Sequence, residues 1–323
     1  FDAAATLPAC LRSVQRQTEP GWECVLVDDG STDGTAALAR DFAARDARFA
    51  VVSTPHQGLV AALRAGLEAC RAPVVVRMDA DDVMHRHRLA AQLAALAAAP
   101  TLTAVGCHIR IFPRAGLRDG LRRYERWLAS VASPRRVREE AFVESPVVHP
   151  TLAIRAAALR AAGYRDVPWP EDYDLLLRLL AAGDEVGVIP RRLLCWRDHP
   201  QRLTRTGAAY GLDRITACKA SFLAAQFLAG TDEYVLCGYG GTGRALRRAL
   251  LAHGKRPSHV VEVHAGRLGQ RIHGAPVLAY GDLPQLRHRP VVVSVAGERP
   301  RGEIRAALSG MGFVETRDFV CAA

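Results

Sequence analysis

The stretch VVVRMDADDVMHRHRL, residues 74–89, runs β-branched apolar residues straight into three carboxylates, Asp79, Asp81 and Asp82. Carboxylates so close together repel one another, so a positive group must offset them. A divalent cation with oxygen ligands, or neighbouring arginines, meets that need. A solvated acidic turn with a helix cap is the plain structural reading of the same residues. A second acidic pair, Asp28 and Asp29, ends the run CVLVDD, and a third cluster, Glu171, Asp172 and Asp174, opens PEDYDLLLRLL (170–180).

The elements that must position these groups follow from periodicity. LPACLRSVQRQ (7–17) has apolar residues at 7, 10, 11 and 14, a helical face. CVLV is a buried strand, and in DDGSTDG any of Ser31, Thr32 or Asp33 can cap the helix through TAALARDFAARD. Next come the strand FAVVST (49–54), a loop at PHQG, the helix LVAALRAGLEAC and the strand PVVVRMD. Alternating strands and helices predict an α/β fold with a mostly parallel, doubly wound sheet, in which ligands collect beyond the carboxyl ends of the strands. Asp28 with Asp29 and Asp79 with Asp81 both fall at such ends, which predicts one site rather than two independent turns.

Composition sets the context. The chain has 323 residues, enough for two domains, and is 49% hydrophobic. No run of 18 apolar residues occurs, which argues against a membrane span. Eight cysteines lack the paired spacing of a zinc site or disulfide framework, so a reducing cytoplasm is the expected location. The 43 basic against 33 acidic residues give a net charge of +10, which suits a nucleotide diphosphate or peripheral association with an anionic membrane face. No aromatic residues interleave the basic ones, so nucleic acid is not an expected partner.

LVDDGSTDGT followed by RMDADD, then SPVVHPTLAIRAAALRAAGYRD (145–166), PEDYDLLLRLL and WRDHPQRLTR (196–205), resembles the family 2 inverting glycosyltransferases of GT-A fold over about residues 1–205. The resemblance implies a nucleotide-diphosphate sugar donor, a glycan or lipid-linked acceptor, and Mg²⁺ or Mn²⁺ held by Asp79 and Asp81, with Asp82 a further candidate. Such an ion offsets the charge developing on the departing diphosphate. Asp28 and Asp29 fall where the family contacts the nucleoside; carboxylates accept bonds from base N–H and ribose hydroxyls. The structural alternative is an Asx turn and cap at DDGS, for which Asp29 is the better candidate. Asp172 matches the family's base, which deprotonates the acceptor hydroxyl, with Glu171 in support; the alternative is a cap on the helix DYDLLLRLL. His199 resembles a late segment closing over the donor phosphates and the metal. Arg202 and Arg205 are candidate phosphate partners, while His149 reads equally well as a structural hydrogen-bonding residue.

Two departures qualify the match. The family opens with an apolar strand ending in a motif like PVYN, whereas this sequence starts at FDAAATLPACL, so that first strand is expected to be missing. Arg64 stands where Asn is common, placed to reach a phosphate or a neighbouring carboxylate.

Residues 231–323 read as a second domain, after a glycosyltransferase-like domain over 1–230. EYVLCGYGGTGRALRRALLAHG gives a strand, a glycine loop (Gly238, Gly240, Gly243) and a helix; HVVEV follows, with Glu262 near its end. That order, with an acidic residue 19 positions after the last glycine, satisfies the context of a Rossmann-type nucleotide-binding half. With PVLAY, PVVVSVAG and a final helix EIRAALSGMGF, the block resembles the small nucleotide-sugar-binding domain of sugar acetyltransferases. The glycines alternatively serve only tight strand-to-helix packing. Two other functions fit the sequence less well: a catalytically weak nucleotide-sugar-binding or scaffold protein, and an NAD-dependent oxidoreductase.

Overall fold

The computed structural model describes residues 1–262 and 265–323. Its elements begin with α1 (Leu7–Gln15), β1 (Cys24–Asp29), α2 (Thr35–Arg45), β2 (Phe49–Thr54), α3 (Leu59–Ala69) and β3 (Val74–Val76). They continue with β4 (Val83–Met84), α4 (Arg88–Ala98), β5 (Leu102–Phe112), α5 (Asp119–Ser130), α6 (Pro134–Glu140) and β6 (Ala153–Arg155). Then come α7 (Ala156–Ala162), α8 (Glu171–Ala181), β7 (Glu185–Arg197) and α9 (Leu203–Thr206). The remainder is α10 (Leu212–Ala225), β8 (Glu233–Cys237), α11 (Gly241–Leu251), β9 (Arg256–Val261), β10 (Arg271–Ile272), β11 (Ala275–Leu278), β12 (Val291–Val293), α12 (Glu298–Gly310) and β13 (Phe319–Cys321).

The chain divides into two compact units: residues 1–137, 147–167 and 171–205 form the first, and 138–146, 168–170 and 206–323 the second. The division falls earlier than the sequence reading at 230. The reason is α10, whose Ala220 and Leu223 bury themselves in the second unit's core with Leu236 and Leu246.

In the first unit β1 and β2 pair in parallel, and a separate five-stranded sheet has the order β3-β6-β5-β7-β4. Within it β5 and β7 run parallel, while β6 pairs antiparallel with β3 and β5, and β4 pairs antiparallel with β7. The α/β class holds, with a pairing more mixed than strand–helix alternation alone suggests. The helical face read in the sequence is the buried one: Leu7, Cys10, Leu11 and Val14 of α1 all lie inside. Leu63 and Leu67 of α3, four apart and so on one face, pack with Ile154, Leu175 and Leu179.

The second unit is a six-stranded sheet, β10-β11-β9-β8-β12-β13, parallel throughout except for the β10–β11 hairpin. Alternation along β8 sends Tyr234 and Leu236 to one face, against α10 and α11. Val235 and Cys237 go to the other, with Leu308 of α12 and Phe313. Covering both faces is what a parallel sheet requires. The sequence reading missed β13, whose three residues give too short a run to show alternation. Val263 of the expected strand HVVEV lies outside the described residues.

Candidate active site

Past the end of β3 the chain turns through Asp79, Asp81 and Asp82, and one carboxylate oxygen from each lies within 4.8 Å of the others. Arginines do compensate part of this charge. Arg77 Nη2 is 2.6 Å from Asp79 Oδ1, the Arg197 backbone N–H donates to Asp82 Oδ1 at 2.7 Å, and Arg197 Nε donates to the Asp81 carbonyl at 2.7 Å. His199 Nε2 stands 3.1 Å from Asp81 Oδ2. Burial works against ionisation of Asp79, but Arg77, with Arg202, outweighs it and holds that carboxyl below its usual range.

Asp82 differs. It is 1% exposed, and among the described residues its Oδ2 has no hydrogen-bond partner. Burial, then the charge of Asp79, pushes it up to about 8. A buried, unpartnered carboxylate oxygen beside two further carboxylates is costly on its own and fits a hard cation with oxygen ligands, Mg²⁺ or Mn²⁺. Arg202 stacks its guanidinium 3.5 Å from the centre of the Trp196 ring and contributes to the field on all three carboxylates, whereas Arg205 is held by Asp198 at 2.6 Å.

Asp28 and Asp29 end β1, both buried. The Asx turn in DDGS belongs to Asp28, whose Oδ1 accepts the Ser31 N–H at 3.2 Å, and not to Asp29 as expected. Parallel register explains the exchange: Asp29 lies opposite Thr54, where β2 ends, so its carboxylate meets the following loop. There it accepts the N–H groups of Gln57 (2.9 Å) and Gly58 (2.8 Å), at the entry to α3. Those bonds, together with His56, hold it below the usual carboxylate range against the upward pull of burial. Arg64 Nε donates to the Tyr164 carbonyl at 2.9 Å, a backbone partner that neither sequence alternative anticipated.

The first turn of α8 carries Glu171, Asp172 and Asp174, a placement favoured by the helix dipole. Their surroundings separate them. Asp174 is fully buried between Arg165 (2.6 Å) and Arg178 (2.7 Å), a structural ion pair. Asp172 is half-buried and accepts the Tyr173 N–H at 2.7 Å. Burial, then the charge of Glu171 and further off that of Asp79, pushes Asp172 up to about 7. Asp172 and Asp79 therefore share one electrostatic environment. His149 is buried against the Tyr164 hydroxyl at 3.0 Å, and burial with the nearby Arg77 takes it down to about 3, so it is a neutral structural residue.

In the second unit Gly238 has φ +90°, and a Cβ there would lie 2.5 Å from Val295 Cγ2. At Gly243 a Cβ would meet the Gly238 carbonyl oxygen at 2.4 Å. Gly243 lets α11 approach the end of β8, whereas Gly238 clears Val295 beyond β12 and takes a positive φ. Gly240, the N-cap of α11, has open space around its Cβ position. Glu262 follows β9 and pairs with Arg267 at 2.9 Å.

Three participants escaped the sequence reading. Arg77 was visible two residues before Asp79, and Arg197 stood in WRDH, but neither spacing alone distinguishes a partner from surface charge. Tyr164 carries no local signal; only the fold brings it to His149.

The family model described as Glycosyl transferase family 2 matches residues 1–163. The chain is 29% identical over 219 residues to the putative glycosyltransferase EpsE of Bacillus subtilis, covering 66% of this chain and 76% of that protein. It is 30% identical over 190 residues to the amylovoran biosynthesis glycosyltransferase AmsE of Erwinia amylovora, covering 58% and 69%. Among solved structures, S. aureus TarS 1–349 in complex with UDP-GlcNAc superposes with a TM-score of 0.56 at 15% identity, covering 78% of this chain and 70% of that one. The mannosyltransferase PcManGT from Pyrobaculum calidifontis, in complex with GDP-Man and Mn²⁺, gives 0.50 at 22% identity, covering 77% and 69%.

Proposed function

The chain belongs to glycosyl transferase family 2, and from that premise we propose that it is an inverting transferase moving a sugar from a nucleotide-diphosphate donor to a hydroxyl of a glycan or lipid-linked acceptor. The observation that carries this reading is the convergence of Asp79, Asp81 and Asp82 within 4.8 Å, with Asp172 close enough to feel the charge of Asp79. Donors of this class are held by the two structural neighbours named above.

Asp79, Asp81 and His199, with Asp82 alongside, would hold Mg²⁺ or Mn²⁺. When bound, the ion supplies positive charge where the leaving diphosphate becomes more negative. Arg202 adds a second cation in the same field. Asp28, Asp29 and Arg64 form the nucleoside end, where Asp28 has acceptor capacity beyond its one turn bond. Asp172 takes the acceptor's hydroxyl proton as that oxygen bonds to the anomeric carbon. The carbon's bond to the diphosphate breaks on the opposite face, its electron pair leaving with the phosphate, and configuration inverts. Burial, and after it the charge of Glu171, raises the pKa that makes Asp172 a competent base near neutral pH.

The test is incubation with a panel of nucleotide sugars and Mn²⁺, followed by NMR of the product's anomeric configuration. Inverted product from one donor supports the reading; retained configuration sinks it, and failure to turn over any donor favours the scaffold alternative.

For the second unit the supporting observation is the unobstructed Gly240 at the start of α11, where backbone N–H groups attract anions. The loop Gly238 to Gly243, with Glu262 for a ribose, is the expected seat of a nucleotide sugar, in line with the acetyltransferase-like pattern of the sequence. Calorimetric titration with nucleotide sugars and with NAD tests it: sugar-nucleotide binding lost in Gly240→Val supports the site, and NAD binding replaces it with the redox alternative.

A further inference from the structure

The first unit holds a cleft of about 440 Å³ that the transfer chemistry does not use. Five arginines line it: Arg114, Arg122, Arg123 and Arg126 from α5 and the loop before it, and Arg192 from β7. Two acids join them, Asp119 and Glu125. Glu125 is already engaged. It is buried, accepts the Ile111 N–H at 3.0 Å and pairs with Arg114 at 2.6 Å. Arg122 donates to the Leu117 carbonyl at 3.2 Å. Arg123, Arg126 and Arg192 are exposed, and no described residue forms an ion pair with any of them. Concentrating unpaired guanidiniums in one concavity is unfavourable unless an anion joins them, and guanidinium is the side chain best shaped for phosphate oxygens.

We propose that this arginine cleft binds a diphosphate group, at a site separate from the donor's. The charge sets the class of ligand: five arginines against two acids exceed what one phosphate, at about −1.5 to −2 near neutral pH, can balance. A diphosphate is the smallest phosphate ligand that balances it. The loop 113–118 ties the cleft to the candidate active site, since Arg114 lines the cleft while Pro113 and Leu117 line a neighbouring cavity of about 230 Å³ that contains His199. The placement suits the charged end of an acceptor whose hydroxyl reaches Asp172. That last step rests on the transfer reading; the binding itself does not.

The test is calorimetric titration of inorganic pyrophosphate into the full chain with EDTA present, so that no divalent cation draws pyrophosphate to Asp79 and Asp81. Wild-type protein should bind at one site. Arg123→Gln/Arg126→Gln/Arg192→Gln should weaken binding about tenfold or more, the scale of losing charge-assisted contacts. Arg12→Gln/Arg16→Gln/Arg40→Gln, which removes equal charge from exposed positions elsewhere in the same unit, should stay within about twofold. Equal loss in both triple variants reduces the cleft to net charge and overturns the proposal, as does no binding by wild type. Cosedimentation with phosphatidylcholine vesicles carrying a polyprenyl diphosphate identifies the source: recruitment lost only in the cleft variant points to a lipid headgroup, and no recruitment alongside pyrophosphate binding points to a free ligand. Mn²⁺-dependent nucleoside diphosphate binding should survive in the cleft variant, so failure here and failure at the carboxylate cluster are separately visible.

Discussion

At the scale of single residues, Asp172 and Asp174 show how neighbouring carboxylates on one helical turn take different work. Asp172→Asn should leave donor binding nearly intact while transfer falls by about 10² or more, the scale of lost general-base catalysis. Equal losses of binding and turnover would make Asp172 a cap instead. Asp174→Asn should do the reverse, removing the partner of Arg165 and Arg178 and lowering stability by about 3 kcal/mol, read as a depressed thermal midpoint. The sequence made both acids visible but not the difference: Arg178 stands four residues along α8 from Asp174, but Arg165 reaches it only through the fold. The pH dependence has a definite sign. Asp172 acts as the anion, and burial with Glu171 raises it to about 7, so transfer should climb with pH through that value. A rate independent of pH from about 5 to 8 would remove Asp172 from the role. Asp82 follows Asp81 with no sequence signal of its own, and burial is what singles it out.

At the scale of elements, strand ends place the chemistry, and this much was legible. Apolar runs that stop at carboxylates show where strands deliver side chains, and α1, β1, α2, β2 and α3 lie where periodicity puts them. Contacts set by register were not legible: Asp29 reaches the loop before α3 because β1 and β2 pair as they do, which no local pattern encodes. The glycine loop illustrates the same limit. Four glycines look alike in GYGGTG, yet the structure divides them into two that permit packing, Gly238 and Gly243, and two that face open space, Gly240 and Gly241. Gly243→Ala should therefore cost about 1–3 kcal/mol, as overpacking does, while Gly240→Ala should stay within about 0.5 kcal/mol. Urea denaturation midpoints compare them directly. Equal midpoints for the two variants would mean that the Gly238 carbonyl gives way easily to an added methyl group.

At the scale of the whole molecule, the net charge is +10. The first unit concentrates both signs, with Asp79, Asp81 and Asp82 gathered within 4.8 Å and five arginines lining one cleft. Among the described residues no helix is long and apolar enough to cross a membrane. The central claim is that Asp79 and Asp81 hold a divalent cation and, through it, the donor diphosphate. The most direct measurement is calorimetric titration of nucleoside diphosphates into wild-type protein and into Asp79→Ala/Asp81→Ala, each with and without Mn²⁺. Wild type should bind one nucleoside diphosphate in a Mn²⁺-dependent manner, with stabilisation of about 2.7 kcal/mol at a hundredfold excess over Kd, and the double variant should lose that dependence. Metal-dependent binding that persists in the double variant would contradict the account.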